Sequence, residues 1–420
     1  MNKSVFVSFL AAVALCFVCA GCLTAVVVGT GAAVVATTVF NEPKWDHENF
    51  AGGFFRAAAP KAGNVAVSPY SAATVLSLTY TGATNNTAAG MATALALENH
   101  GADAALVFQR LNRALADAGA TGGIKLESSN SIWPKTGLVL NPSFVATAKK
   151  GFNCGVYPVM MNEDGRARIN KFVLKETSGL VQGIIPPPLT DDCELILVNT
   201  LYFKAKWMRE FEANNTTERA FHAPDGDVQA KFLSRTGAYK YAACNGYSAL
   251  YMPYRGGKVE MVVFLPTEDF GMEAFVKELG RDLITRTDAV AAEKQVGVRL
   301  PKFSVESSLE LKQPLINLGM GLAFSDMAEF PGITTDAPLK IDRVIQKVRV
   351  DVDEEGTEAA AATSVMMWAA AMMPLPPQEK FIADRPFFFM IRERTTNVVL
   401  FMGRIEKPGL KQNAEDSDGK

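Results

Sequence analysis

The chain is expected to fold as one large α+β domain, and three features of the sequence carry that expectation. Helical apolar spacing dominates residues 47–118, whereas strand-like alternation dominates 221–265 and the carboxyl end. The run Leu195-Ile196-Leu197-Val198-Asn199-Thr200-Leu201-Tyr202-Phe203 is apolar on both faces, which suits a strand in the middle of a covered sheet. No internal repeat and no linker interrupts residues 47–408, so one body fits better than two.

Composition sets the outer bounds. The 420 residues are 48% apolar and 20% charged, ordinary globular usage with room for a large core. A net charge of -2, with basic pairs such as Lys149-Lys150 isolated from one another, leaves no electrostatic footprint for nucleic acid or heparin. No membrane partner is implied by the body itself.

The amino terminus reads as a targeting segment. Lys3 supplies a positive start, Val5 opens an apolar stretch that runs to Val18, and Cys19-Ala20-Gly21-Cys22 closes it. This resembles a bacterial lipoprotein signal, which implies lipidation at Cys22 and attachment to a membrane; Cys19 stands where such signals usually place leucine. Ordinary signal cleavage nearby and a retained anchor are the alternatives, since 23–40 is a second apolar run of near-spanning length. All three place the body outside the cytoplasm. The expected division is a signal at 1–22, an apolar segment and linker at 23–46, the domain at 47–410, and a disordered polar tail at 411–420.

Cys16, Cys19 and Cys22 have the spacing of a cluster-binding run, but they lie inside the export segment and no metal is expected there. Cys154, Cys193 and Cys244 are distant and odd in number, so they read as buried thiols rather than a disulfide framework.

Within the body, helices are expected over 47–59, 71–81, 87–97 (capped by Thr87), 102–118, 141–152, 170–180, 272–279 and 309–318. Strands are expected at 64–67, 124–133, 195–203, 247–254, 259–265, 296–303, 341–353 and in a closing hairpin of 387–391 with 398–404. Arg255-Gly256-Gly257 provides a hairpin turn. Residues 351–387 stand apart: acids, one glycine and small residues come first, then an apolar tip, then Pro374, Pro376 and Pro377. Almost nothing in 354–363 offers a core anchor, so the stretch reads as an exposed loop meant to move, with the loop proper at 354–380.

Enzyme signatures are missing. The three histidines, His47, His100 and His222, sit in polar contexts that look solvated, and neither a G-x-S-x-G elbow nor an H-E-x-x-H helix occurs. Gly29-Thr30-Gly31 lies in the export segment, and Val34 replaces the third glycine of a dinucleotide loop. Neither catalysis nor a cofactor is expected.

Six groups of residues, in order, resemble the serpins, a family of serine protease inhibitors. They are Asn64 with Ser68-Pro69-Tyr70-Ser71 and Gly82-Ala83; Ile169-Asn170; Val198-Asn199-Thr200-Leu201-Tyr202-Phe203-Lys204 with Lys206-Trp207; 328–334; 354–363; and 381–387 with Phe401-Met402-Gly403-Arg404. The resemblance spans 47–408. It implies three sheets, eight or nine helices, and a reactive loop above a five-stranded main sheet whose inner strands are 195–204 and 341–353. It also implies a monomeric, metastable suicide inhibitor whose partner is a serine endopeptidase, trapped when the cut loop inserts between those strands.

The loop hinge implied is Glu354, Glu355, Gly356, Thr357, Glu358, Ala359, Ala360, Ala361, Ala362 and Thr363. A strand inserting into a packed sheet turns alternate side chains inward, and Thr357, Ala359, Ala361 and Thr363 are all small and uncharged. Glu358 falls on the opposite parity, and Gly356 supplies a free pivot. Propensity alone would instead read this stretch as a helix start at Thr357. Family spacing puts the scissile bond between Ala370 and Ala371, which suits a protease of elastase or subtilisin type. Cuts at Trp368 or Met372, by chymotrypsin-like or cysteine proteases, are the alternative, as is a non-inhibitory surface protein. Ser68, Ser71 and Asn199 match a polar cluster below the opening sheet, where Gln346 replaces the family's usual histidine. Trp207 matches the position where the loop first enters.

Overall fold

The computed structural model describes residues 45–97, 104–177, 179, 182–357 and 379–409, together with three N-terminal strands that form a separate unit. In that unit β1 (Cys16–Cys19), β2 (Cys22–Gly29) and β3 (Ala32–Val39) make an antiparallel sheet. Strand is the local choice because valine and threonine crowd both longer segments. Among the described residues no helix is long and apolar enough to cross a membrane.

The body begins with α1 (His47–Ala58), capped by the Asp46 carboxylate and burying Phe50, Phe54 and Phe55. After β4 (Val65–Val67), Ser68 ends the strand and caps α2 (Pro69–Tyr80), with Pro69 in the first turn where no N–H is needed. Every residue of α2 is buried, because the helix lies against β18 of one sheet and β7 and β5 of the other. Then come α3 (Asn85–Leu95), α4 (Ala104–Gly122), β5 (Lys125–Pro134), α5 (Pro142–Phe152), β6 (Gly155–Val156) and α6 (Glu163–Glu176). Thr87 is not a cap: it lies inside α3, where its hydroxyl accepts from the Glu329 N–H. Helix α6 starts before the expected 170, because its first turn is capped by Asn162 and polar, with apolar spacing beginning only at Ile169.

Strands follow in a long series: β7 (Leu195–Lys206), β8 (Thr217–Ala223), β9 (Gly226–Cys244), β10 (Tyr247–Pro253) and β11 (Val259–Pro266). Helices α7 (Gly271–Lys277) and α8 (Arg281–Val290) intervene before β12 (Ala292–Pro301), β13 (Phe303–Glu310) and the short α9 (Lys312–Leu315). Helix α8 was not expected, for only Leu283, Ile284 and Thr287 of it are buried. The chain closes with β14 (Arg343–Val352), β15 (Gly356–Thr357), β16 (Glu379–Ile382), β17 (Phe387–Glu393) and β18 (Val399–Ile405).

Two sheets organise the body. One runs β16-β12-β9-β10-β11-β17-β18-β4 with β8 on β9, the long β9 joining what would otherwise be two sheets. The other runs β13-β14-β15-β7-β5-β6, in which β14 and β7 also pair directly. As expected for an inner strand, β7 carries Leu195, Ile196, Leu197 and Val198 fully buried.

The histidines divide. His222 is exposed beside Asp227 (2.8 Å), which raises its pKa, while His100 lies outside the described residues. His47, expected to be solvated, is instead largely enclosed: Nδ1 has no partner, and burial lowers its pKa to about 4. The sign follows from linkage. Between about pH 4 and 6.5 the unfolded chain binds a proton that the folded chain refuses, so stability falls as pH falls through that window. His47→Phe should remove about 2 kcal/mol of that pH dependence, measured as the difference in urea midpoint from wild type between pH 7 and pH 4.5. Identical slopes in the two proteins would show that His47 does not contribute.

Candidate functional site

Strands β14 and β7 run parallel from Arg343 opposite Ile196 to Arg349 opposite Tyr202, and above that point they part. Strand β15 occupies the opening, antiparallel to both neighbours, with Thr357 opposite Val352 and Ala205, and Gly356 opposite Lys206. The start of the hinge is therefore already a strand of the sheet. Thr357 itself is in strand, and the residues that would follow it in a helix lie outside the described residues.

Residues expected to lack anchors are held closely here. Asp353 Oδ1 accepts from the N–H groups of Glu355 (2.9 Å) and Gly356 (3.2 Å), closing a tight turn. Burial works against the charge of Glu354, yet Lys302 (2.7 Å) and the Thr216 hydroxyl (2.9 Å) hold its pKa below the ordinary value. Glu355 pairs with Lys206 at 2.9 Å. The Gly356 pivot differs in cause from the expectation: its φ is not positive, and glycine is required because a Cβ would lie 2.0 Å from the Ala205 carbonyl oxygen.

Trp207 clamps this turn. Its backbone N–H donates to Glu355 O (2.8 Å), its indole N–H to Asp353 O (3.0 Å), and its ring stacks on Tyr254 at 4.5 Å and 10°. The Tyr254 hydroxyl in turn shares a 2.8 Å hydrogen bond with the hydroxyl of Thr357, which is fully buried. Thr357 thus points inward, the parity expected of it. Glu358, Ala359, Ala360, Ala361, Ala362, Thr363, Ala370 and Ala371 lie outside the described residues.

Lower down, Gln346 of β14 and Asn199 of β7 are direct cross-strand partners, with Asn130 of β5 opposite Asn199 on its other side. Gln346 pairs with Ser68 as one amide with another: Oε1 accepts from Ser68 N (2.9 Å) and Nε2 donates to Ser68 O (2.9 Å). Nε2 also donates to Asn199 Oδ1 at 2.8 Å. The Asn199 amide donates to Ser71 Oγ and Asn130 Oδ1, and Ser68 Oγ donates to Leu400 O at 2.7 Å. Both Gln346 N–H groups and its oxygen are engaged, so glutamine satisfies the cluster without a titratable group.

Sequence reasoning missed Asn130, Tyr254, Asp353 and Lys302. Asn130 was hidden among the serines of Ser128-Ser129-Asn130-Ser131. Only the pairing of β5 with β7 shows that it faces the cluster. Of the thiols, Cys154 and Cys193 are buried as expected, whereas Cys244 is half-buried.

In this α+β body the central parallel pair parts at one end around the two-residue strand β15. Residues 46–408 match the family described as Serpin (serine protease inhibitor), and the chain belongs to that family of protease inhibitors. Bovine leukocyte elastase inhibitor is 32% identical over 361 residues, covering 83% of this chain and 94% of the relative. Human glia-derived nexin is 31% identical over 358 residues, covering 82% of this chain and 88% of that one. Among solved structures, the native state of the thermophilic serpin tengpin superposes with a TM-score of 0.78 at 25% identity, covering 86% of this chain and 93% of that one. Serpin48 of Tenebrio molitor gives 0.75 at 27% identity, with 86% and 96% covered.

Gln346→Leu should lower stability by about 3 kcal/mol, since it strands the Ser68 peptide and the Asn199 carbonyl in the core. The urea unfolding midpoint measures this. An unchanged midpoint would mean that the cluster does not hold the two strands together.

Proposed function

We propose that this chain is a suicide inhibitor of serine endopeptidases with small primary pockets, trapping them as the cut loop becomes a central strand. The observation that supports it is β15, a strand nucleus between β14 and β7 in the antiparallel register that full insertion requires. The protease serine attacks the Ala370 carbonyl and gives up its hydroxyl proton, the bond to the nitrogen of Ala371 breaks, and the new amine leaves carrying that proton. An acyl ester between the serine and Ala370 remains.

Continuing the register of Thr357 residue by residue gives the inserted arrangement. Ala359 falls between Val350 and Phe203, and Ala361 between Val348 and Leu201, where all four neighbours are buried and only small side chains fit. Glu358 falls between Asp351 and Lys204 on the outward parity. Thr363 falls between Gln346 and Asn199, where a hydroxyl can bridge the hydrogen bond that insertion breaks. Thr363 thus meets polar neighbours, Glu358 stays on the outward face, and Thr357 has the Tyr254 hydroxyl as its partner. Insertion replaces one parallel ladder with two antiparallel ones, which favours the inserted state.

Ala370 preceded by Met367-Trp368-Ala369 suits a protease that excludes long side chains, and the bovine relative is named as an elastase inhibitor. In this reading the protein acts as a monomer outside the cytoplasm, attached to a membrane through a lipid on Cys22.

With pancreatic elastase or subtilisin, wild type should give an SDS-resistant complex, and mass spectrometry should find the cut after Ala370. Thr357→Arg and Thr363→Arg should be cleaved and released without complex, since each places an unpaired cation in the core. Turnover of wild type as a plain substrate would reject inhibition and favour a non-inhibitory binding protein. A cut after Trp368 or Met372 would reject the assigned bond. Separately, radiolabelled palmitate fed to expressing bacteria should label wild type and spare Cys22→Ser; no label on wild type would reject the lipid anchor.

A further inference from the structure

A small hollow of about 160 Å³ opens at the end of the nine-stranded sheet where β16, β12 and β9 run side by side, and the inhibitory reading does not use it. The strand register explains its shape. Gly297 of β12 lies between Thr236 of β9 and Lys380 of β16, and two residues further along Arg299 lies between Ser234 and Ile382. Positions two apart on a strand share a face, so these six form a block on one side of the sheet, with Thr236 and Lys380 about 5 Å to either side of Gly297. Glycine at the centre of the first row carries no side chain, and the hollow is the space it leaves. The walls are open to a ligand: Thr236 and Lys380 are exposed, and Ser234, Gly297, Arg299 and Ile382 are half-buried.

The polar groups around the hollow are uncommitted. Neither the Arg299 guanidinium nor the Lys380 ammonium has a hydrogen-bond or ion-pair partner among the described residues, and the same holds for the Ser234 and Thr236 hydroxyls. The acids of β16 and its continuation are engaged elsewhere. Glu379, of opposite parity to Lys380, pairs with Lys294 at 2.7 Å, and Asp384 pairs with Arg385 at 3.3 Å. Two like charges held diagonally on neighbouring strands oppose sheet formation unless something of opposite sign lies between them.

We infer that this hollow binds a phosphate-sized oxyanion, with Arg299 and Lys380 neutralising its charge and the Ser234 and Thr236 hydroxyls donating to its oxygens. Two positive charges match a dianion, and the guanidinium fork can grip two oxygens at once. The volume lies below the ~300 Å³ at which pockets for drug-sized organic ligands begin, so one tetrahedral anion fits and a nucleotide does not. A cation would be repelled, and a neutral ligand would leave both charges unmatched. The contacts come from three strands. Binding would therefore fasten β16, an edge strand that pairs with β12 over only four residues, to the body of the sheet.

Radiolabelled inorganic phosphate is the probe, measured on the full chain by equilibrium dialysis in low-salt buffer at pH 8, where phosphate is a dianion. It should bind saturably, one anion to each chain. Arg299→Gln and Lys380→Gln should each weaken binding at least fivefold, and Gly297→Val, which fills the hollow, should abolish it. Lys231→Gln removes an exposed cation of β9 outside the hollow and should change binding less than twofold. Phenyl phosphate separates two sources of the same chemistry: weaker binding than inorganic phosphate identifies a free anion, and equal binding a phosphate group carried on a larger molecule. The thermal midpoint of each variant checks folding, and the two glutamine variants alter only accessible side chains. No saturable binding to wild type, binding that survives Gly297→Val, or a loss in Lys231→Gln equal to that in Arg299→Gln would each overturn the site.

Discussion

Seven residue pairs, from Arg343 opposite Ile196 to Arg349 opposite Tyr202, hold β14 and β7 side by side, and one of them is Gln346 opposite Asn199. That pair differs from the rest because its side chains are tied across the strands and down to Ser68 at the start of α2. A backbone ladder can open and rebond elsewhere with little net loss. A buried polar cluster cannot, because separating its members leaves donors and acceptors in a dry interior. The placement of α2 between the sheets, the conversion of Ser68 from strand end to helix cap, and the carbonyl of Leu400 all serve this cluster. Among the described residues, it lies in the paired part of β14 and β7 below the place where the two strands part.

The upper end of the same opening is held by a different kind of contact. Around Asp353, Glu354 and Glu355 the bonds are mostly backbone or ionic and partly exposed, so each is individually weak. Thr357 has the one fully buried side-chain hydrogen bond there, to Tyr254. The molecule therefore joins a buried polar catch in the middle of the sheet to a strand nucleus at its top that is held by backbone and ionic contacts around Trp207. In the proposed mechanism that ordering suits a segment that advances only after the loop is cut.

Much of this was legible in the sequence, for reasons that differ by residue. The doubly apolar run at 195–203 could only be an inner strand, and Ser68-Pro69 could only end one element and begin another. The inward parity of Thr357 followed from the period of a strand. Other features were beyond reach because they depend on tertiary neighbours. Asn130 reads as one polar residue among serines until β5 is laid against β7. His47 reads as a solvated residue until its surroundings enclose it. Gly356 looked like a free hinge, whereas the constraint is a carbonyl oxygen from a strand far away in sequence. Helix α8 has too few buried positions to show a period.

Glutamine at 346, where the resemblance to the serpins implies a histidine, bears on how the cluster responds to its surroundings. An imidazole at the centre of a buried cluster would gain a charge as the medium acidifies, and a buried charge without a partner weakens what surrounds it. The Gln346 amide has no such transition, and its donor and acceptor match the Ser68 peptide as a pair. Acid sensitivity enters at other places, among them His47 at the start of α1, which resists protonation, and Glu354 at the opening, whose carboxylate Lys302 holds ionised. Acid would thus lower the stability of the body through His47 and weaken the hold on the hinge through Glu354, while the Gln346 cluster has no group to titrate. In the proposed mechanism the uncharged cluster matters, because insertion is meant to follow cleavage of the loop and not protonation of the residues that hold the two strands together.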